Sequence, residues 1–103
     1  MLPSELLEAT KNYLDITWTG DIETDQKLTG IISRGMSRLD NLAGVPLDYS
    51  IEDLPRALLM DYCFYARANA LSDFEVNYLP MLLSLQQRGE VDAYVASQIP
   101  IVP

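Results

Sequence analysis

Pro55-Arg56-Ala57-Leu58-Leu59-Met60-Asp61-Tyr62-Cys63-Phe64-Tyr65-Ala66-Arg67-Ala68-Asn69-Ala70-Leu71 is the most apolar stretch of the chain, and it decides the fold. Proline suits the first position of a helix, where its missing N–H costs nothing. The acids and serine before it, Asp48, Ser50, Glu52 and Asp53, belong to a turn. Apolar side chains then occupy nearly every side of the helix, and Arg56 and Arg67 share one narrow face. A helix apolar almost all round must be covered on more than one side, by other helices or by a neighbouring subunit. The pattern predicts an all-α fold, a small bundle of about four to five helices around one long central apolar helix spanning residues 55–71.

Downstream, Ser72-Asp73-Phe74-Glu75 has the spacing of a capping box and predicts a helix start. Phe74, Tyr78, Met81, Leu82 and Leu85 then recur at helical spacing. Pro80 is expected to kink or split that helix near Tyr78. Gly89 reads as an interruption, with a short last helix over 90–98 that carries Val91, Tyr94 and Val95 on one side. The tail Ile99-Pro100-Ile101-Val102-Pro103 cannot be helical, and an apolar tail of this kind calls for a surface to lie on.

Upstream, the sequence from Thr24 or Asp25 to Leu42 predicts a helix with Leu28, Ile31, Ile32, Gly35, Met36, Leu39 and Leu42 on one stripe, stopped by Gly44 and Pro46. Gly35 lies inside the stripe, which points to close approach of another backbone. Lys27, Arg34 and Arg38 line one flank as a basic ridge. Its default role is a solvated flank; its functional role is contact with an acidic surface of another subunit. A first helix is expected over Leu2 to Leu14, capped by Ser4, with Glu5 and Glu8 at its positive end and Leu6, Leu7 and Leu14 on the apolar side. The stretch 15–24, with Trp18 and Gly20, reads as an ordered loop.

The 103 residues fit a single domain, 1–103, and 49% hydrophobic content is too rich for a disordered chain. Fifteen acids against seven bases give a formal charge of −8. Such a chain has no general attraction for nucleic acid, yet it suits a channel that DNA slides through without sticking. Six tyrosines against two phenylalanines and one tryptophan tilt the aromatics toward side chains that serve both cores and interfaces. Cys63, the one cysteine, sits in an apolar run and reads as a small hydrophobe. The start Met1-Leu2-Pro3-Ser4-Glu5 lacks the basic head and apolar stretch of a signal peptide, and no apolar run approaches the roughly 20 residues of a membrane span. The expectation is a soluble protein made in the cytoplasm.

Histidine is absent, which removes Ser/His and Cys/His nucleophile systems and the usual zinc sites. No glycine-rich phosphate loop is present. Asp21-Ile22-Glu23-Thr24-Asp25 imitates the start of a calcium loop, but Gln26 and Ile32 stand where glycine and the bidentate glutamate are needed. No cofactor, metal or catalytic residue is expected. Asp61 is the acid that stands out, because a helical wheel places it among Ala57, Leu58, Phe64 and Tyr65. Its candidate roles are a pair with Arg34 or Arg38, a hydrogen bond to a tyrosine, a subunit contact or, least favoured, general acid–base work.

In chain order, Tyr13-Leu14-Asp15-Ile16, the acids from Asp21 to Asp25, Leu28 to Met36, Leu39 to Gly44, the Pro55 helix, Asp73 to Tyr78 and Leu83-Ser84-Leu85-Gln86 form a pattern. It resembles the head–tail connector (head-completion, or adaptor) proteins of long-tailed bacteriophages and prophages, over about Leu6 to Ala96. The resemblance implies a non-enzymatic subunit of a homo-oligomeric ring beneath the portal, in the virion neck. That ring would extend the DNA channel and present a surface to the next connector or the tail protein. The motifs are apolar patterns, so they transfer no functional side chains. From the residues themselves, candidate subunit contacts are Lys27, Arg34, Arg38, Asp61 and the tail residues Ile99, Ile101 and Val102. The competing function is a small acidic regulator that binds a host or phage protein, which clustering of acids on one face would favour.

Overall fold

A computed structural model describes residues 1–17 and 20–98, without the side chains of 92, 93 and 95–98; Trp18 and the tail 99–103, including Ile99, Ile101 and Val102, lie outside the described residues. All the regular structure described is helical. A short 3-10 turn, Pro3–Leu6, leads into α1 (Leu7–Tyr13), followed by α2 (Ile22–Ala43), α3 (Leu54–Arg67), α4 (Leu71–Asn77) and α5 (Leu79–Gln98).

The chain start is closed by Glu5 rather than by Ser4. The Leu2 N–H donates to Glu5 Oε2 at 3.0 Å, and the Glu5 N–H returns to the Leu2 carbonyl. The turn already begins at Pro3, so Ser4 lies inside it and Leu2 holds the cap position. The 3-10 turn and α1 together bury Leu6, Thr10 and Lys11. The Thr10 hydroxyl donates to the Leu6 carbonyl at 2.8 Å, and Lys11 Nζ reaches Asp25 Oδ1 at 3.0 Å, tying α1 to α2. This buried lysine, 5% exposed, was not evident from the sequence.

α2 begins at Ile22, two or three residues before the position expected, because Asp21 caps it. The Asp21 carboxylate accepts the Thr24 N–H at 3.2 Å and the Thr24 hydroxyl at 2.7 Å, and these bonds hold its pKa below the usual carboxylate range. The expected stripe packs inward, with Leu28, Ile32, Gly35 and Leu39 buried. Gly44 ends the helix at φ +77°, a left-handed conformation that only glycine adopts without strain. The connection to α3 is pinned by Tyr49, fully buried, whose hydroxyl donates to Asp40 Oδ1 at 2.7 Å. Asp40 also accepts the Leu47 N–H at 3.1 Å.

Asp53 caps α3, accepting the Leu54 N–H, and Pro55 lies in the first turn. The helix stops at Arg67, four residues before the expected end. Asn69 takes φ +56°, and the Ala70 N–H reaches back to the Tyr65 carbonyl at 2.8 Å while the Asn69 N–H bonds the Ala66 carbonyl. The same closure ends α1, with Asp15 at φ +57° and the Ile16 N–H on the Lys11 carbonyl. Asn and Asp tolerate the left-handed region better than other side chains, so each replaces the glycine of such a cap. α3 buries Leu58, Leu59, Met60, Tyr62 and Cys63 and packs against α1, α2 and α4. With 14 residues it is shorter than α2, which has 22, and α5, which has 20. Burial pushes the Cys63 thiol up to about 12, consistent with its reading as a small hydrophobe.

Ser72 is not a cap. With Asn69 already turning the chain, α4 starts at Leu71, and Ala70, two residues before Ser72, takes the cap position. Tyr78 separates α4 from α5, and Pro80 lies in the first turn of α5, so the helix is split where expected. Phe74, Leu82 and Leu85 are buried, whereas Met81 is 42% exposed. Gly89 does not interrupt: α5 runs through it to Gln98. A Cβ at Gly89 would lie 1.9 Å from the Ala43 carbonyl oxygen, so this glycine is where the α5 backbone crosses the end of α2.

The close backbone approach expected at Gly35 is therefore found at Gly89. At Gly35 the neighbours are side chains: a Cβ there would lie 2.7 Å from both Leu59 Cδ1 and Tyr62 Cδ1. Gly35→Leu has no space to occupy and is expected to lower unfolding free energy by about 2 kcal/mol, the scale of an overpacked core. Urea denaturation measures it; unchanged stability would mean that α2 and α3 do not meet at Gly35.

Candidate interaction surfaces

The basic ridge on α2 is not uniform. Arg38 makes a two-pronged contact with Glu75 on α4, Nε to Oε1 at 2.9 Å and Nη2 to Oε2 at 3.1 Å, and the carboxylate raises its pKa. It is a brace inside the subunit. Arg56 pairs with Glu52 at 3.3 Å, and Arg88 of α5 reaches Asp53, the cap of α3, at 3.3 Å. With Lys11–Asp25, four of the seven bases are paired. Lys27, Arg34 and Arg67 make no ion pair among the described residues. Lys27 and Arg67 flank a shallow groove of about 350 Å³ between α2 and α3, whose floor includes Leu28, Ile31 and Ala66.

Asp61 is half-buried and holds neither Arg34 nor Arg38. Of its candidate partners the tyrosine is the one found: the Tyr13 hydroxyl donates to Asp61 Oδ1, joining α1 to α3. Asp61 also borders Tyr78. Around them Tyr65 packs edge-on against Tyr78 (centroids 5.7 Å apart) and against Phe64 (5.6 Å). Tyr13 and Phe64 are about half exposed. A second groove, about 280 Å³, runs between α1 and α3, lined by Ala9, Tyr13, Glu52, Arg56, Ala57, Met60 and Asp61. A tyrosine partner was a candidate from sequence, but which tyrosine was not legible, because Tyr13 and Asp61 are 48 positions apart. The excess of tyrosine over phenylalanine was the available signal.

The acid–tyrosine contacts have a pH signature. The Asp61 hydrogen bond, then burial and the Asp61 charge, push Tyr13 up to about 12; burial first, then Asp61, does the same for Tyr78. Burial and Asp40 raise Tyr49 further. An unfolded tyrosine ionises near pH ~10, so between that pH and about 12 the folded state holds protons that the unfolded chain releases. These contributions are complete below pH ~10 and fall as pH rises through that window. Tyrosinate absorbance should show some of the six tyrosines titrating late, and one fewer in Tyr13→Phe. Ordinary titration of all six would contradict these contacts.

α5 carries apolar side chains on two sides. Leu82 and Leu85 face the core at 3% and 1% exposure, while Leu79, Leu83 and Val91 stand 48–58% exposed. The apolar surplus expected on the Pro55 helix is thus found chiefly on α5. The acids of the calcium-like stretch are committed elsewhere: Asp21 caps α2 and Asp25 holds Lys11. Among the described residues no cluster of acids and cysteine is placed to hold a metal ion. No helix among them is long and apolar enough to cross a membrane. No protein-family model, curated protein or solved structure matches this chain.

Proposed function

We propose that this protein is a structural subunit of a ring at the head–tail junction of a phage, acting by contact rather than by catalysis. The ring lies in the virion neck, joins the portal protein to the next connector or tail protein, and lets DNA pass without sequence-specific binding. α3 joins α1, α2 and α4 within each subunit. The observation that carries the reading is α5, apolar toward the core and again toward solvent at Leu79 and Leu83, one helical turn apart. An exposed apolar row on a helix end is a surface for a neighbouring molecule. The acidic excess, with Arg38, Arg56 and Arg88 neutralised by internal partners, suits a channel wall from which DNA phosphates are repelled.

The test is the molar mass by light scattering of the wild type and of Leu79→Glu/Leu83→Glu, each alone and with the portal protein of the same genome. The exposed double substitution should change stability by about 0.5 kcal/mol or less per site. Wild type is expected to form multimers, alone or on the portal, and the double variant to remain a folded monomer. A wild type that stays monomeric and ignores the portal, or that forms a one-to-one complex with a host protein instead, contradicts the proposal.

A further inference from the structure

We propose that Arg34 of one copy enters the groove beside Asp61 of the next, so that subunits join head to tail through a guanidinium–carboxylate contact beside the Tyr13 ring. The inference rests on the ring reading above and names a contact within it.

The cation is identified by elimination. Four bases are paired inside the subunit. Lys27 has Asp21 near enough that its charge helps lower the Asp21 pKa. Arg67 occupies the last turn of α3, where a positive charge meets the negative end of the helix dipole. Arg34 has neither. It is exposed in the middle of α2, its Nη1 lying back over Gly30, 3.5 Å from where a Cβ would sit, with no acid at ion-pair distance among the described residues. Of the three bases without an ion pair among the described residues, Arg34 is the one with neither a nearby acid nor a helix end to meet its charge.

The receptor is the groove between α1 and α3. Its charged residues are Glu52, Arg56 and Asp61, a net of one negative charge. Arg56 is already bound to Glu52 and donates to the Tyr49 carbonyl at 3.3 Å. Asp61 receives the neutral Tyr13 hydroxyl and no base, leaving carboxylate capacity for a cation. Tyr13 lines the groove half exposed, its hydroxyl on the Asp61 carboxylate. A planar guanidinium meets both demands, bonding a carboxylate in its plane and stacking on ring faces. At about 280 Å³ the groove falls just below the usual range of small-molecule pockets, and a single long side chain suits it better. Its carboxylates disfavour phosphate, so DNA is not the occupant. Cation and receptor sit on different helices and make no ion pair within one chain, and a contact between two different patches of identical copies gives a ring when its rotation closes.

Charge reversal tests the pairing. Arg34→Glu sets two carboxylates against each other at the contact, and Asp61→Arg sets two guanidinium groups against each other, so neither variant is expected to associate by itself. Mixed in equal amounts, the two variants can alternate around the ring. Every junction then joins opposite charges, either the two substituted side chains or the native Arg34 and Asp61, and association should return to the wild-type level. Circular dichroism and thermal melting confirm that each variant is folded. If Asp61→Arg is not, Asp61→Asn, which keeps a partner for Tyr13, replaces it and should weaken association at least tenfold. If either reversal variant associates as well as wild type, or the mixture fails to recover, the Arg34–Asp61 contact is wrong and the ring reading stands. If wild type itself never associates, alone or on the portal, the ring reading fails and the contact with it.

Discussion

Gly89→Ala is expected to destabilise the protein by about 2 kcal/mol or more, although alanine is the better helix former. At a solvent-facing helical position the same change would add about 1 kcal/mol of stability. Here the new methyl would stand 1.9 Å from the Ala43 carbonyl oxygen and 2.7 Å from its carbonyl carbon. Those are backbone atoms at the end of α2, not the tips of flexible side chains, so relief requires α2 and α5 to separate. Separation weakens the burial of Leu82 and Leu85, which are 3% and 1% exposed. Overpacking of this kind costs about 1–3 kcal/mol and exceeds the propensity gain. Thermal melting reads the sign directly: a loss of roughly 4–8 °C per kcal/mol is expected for a domain of this size. A rise in melting temperature would show that the two helices do not cross at Gly89.

Phe74→Ala is expected to have the larger effect, about 3–5 kcal/mol, because it empties the junction of three helices. Phe74 is fully buried on α4. Its ring meets Tyr62 edge-on at 5.6 Å and Tyr65 at 5.9 Å, both from α3, and stacks on Tyr78 at 4.9 Å, the residue that leads into α5. Removing the ring leaves a cavity and abolishes three aromatic contacts at once, each worth about 0.5–1.5 kcal/mol beyond area. Phe74→Leu keeps most of the volume and should cost less than about 1.5 kcal/mol. Urea denaturation of both variants measures the difference. Equal, small losses would mean that α4 does not anchor through this ring. Because Tyr78 borders Asp61, Phe74→Ala should also lower the late tyrosine titration.

What was legible from the sequence was local. The stripe from Leu28 to Leu42 needs only a period of 3.6, and Gly44 stops it in the left-handed conformation that glycine takes most readily. Pro80 splits the helix after Tyr78 because its ring cannot continue one. Local rules failed where two signals competed. Ser72 carries the spacing of a cap, but Asn69 had already turned the chain, and no rule weighs an Asn in the left-handed region against a downstream Ser. Gly89 looked like a breaker because a glycine needed for a helix crossing and one that ends a helix are the same letter. The site was less legible than the fold. Arg38 joined Lys27 and Arg34 on one flank, yet its use inside the subunit depends on Glu75, 37 positions away. Asp61 stood out only as an acid on an apolar helix, and its tyrosine partner required the docking of α1.

The proposed role of this helical unit is to form a closed ring. Electron microscopy of the protein mixed with its portal tests it most directly, with class averages that resolve copies around an axis. The expected result is a ring stacked on the portal, with the Leu79 and Leu83 face of α5 covered by a neighbouring molecule rather than open to solvent. Portal particles bearing no added density, beside a protein that stays monomeric, would contradict it.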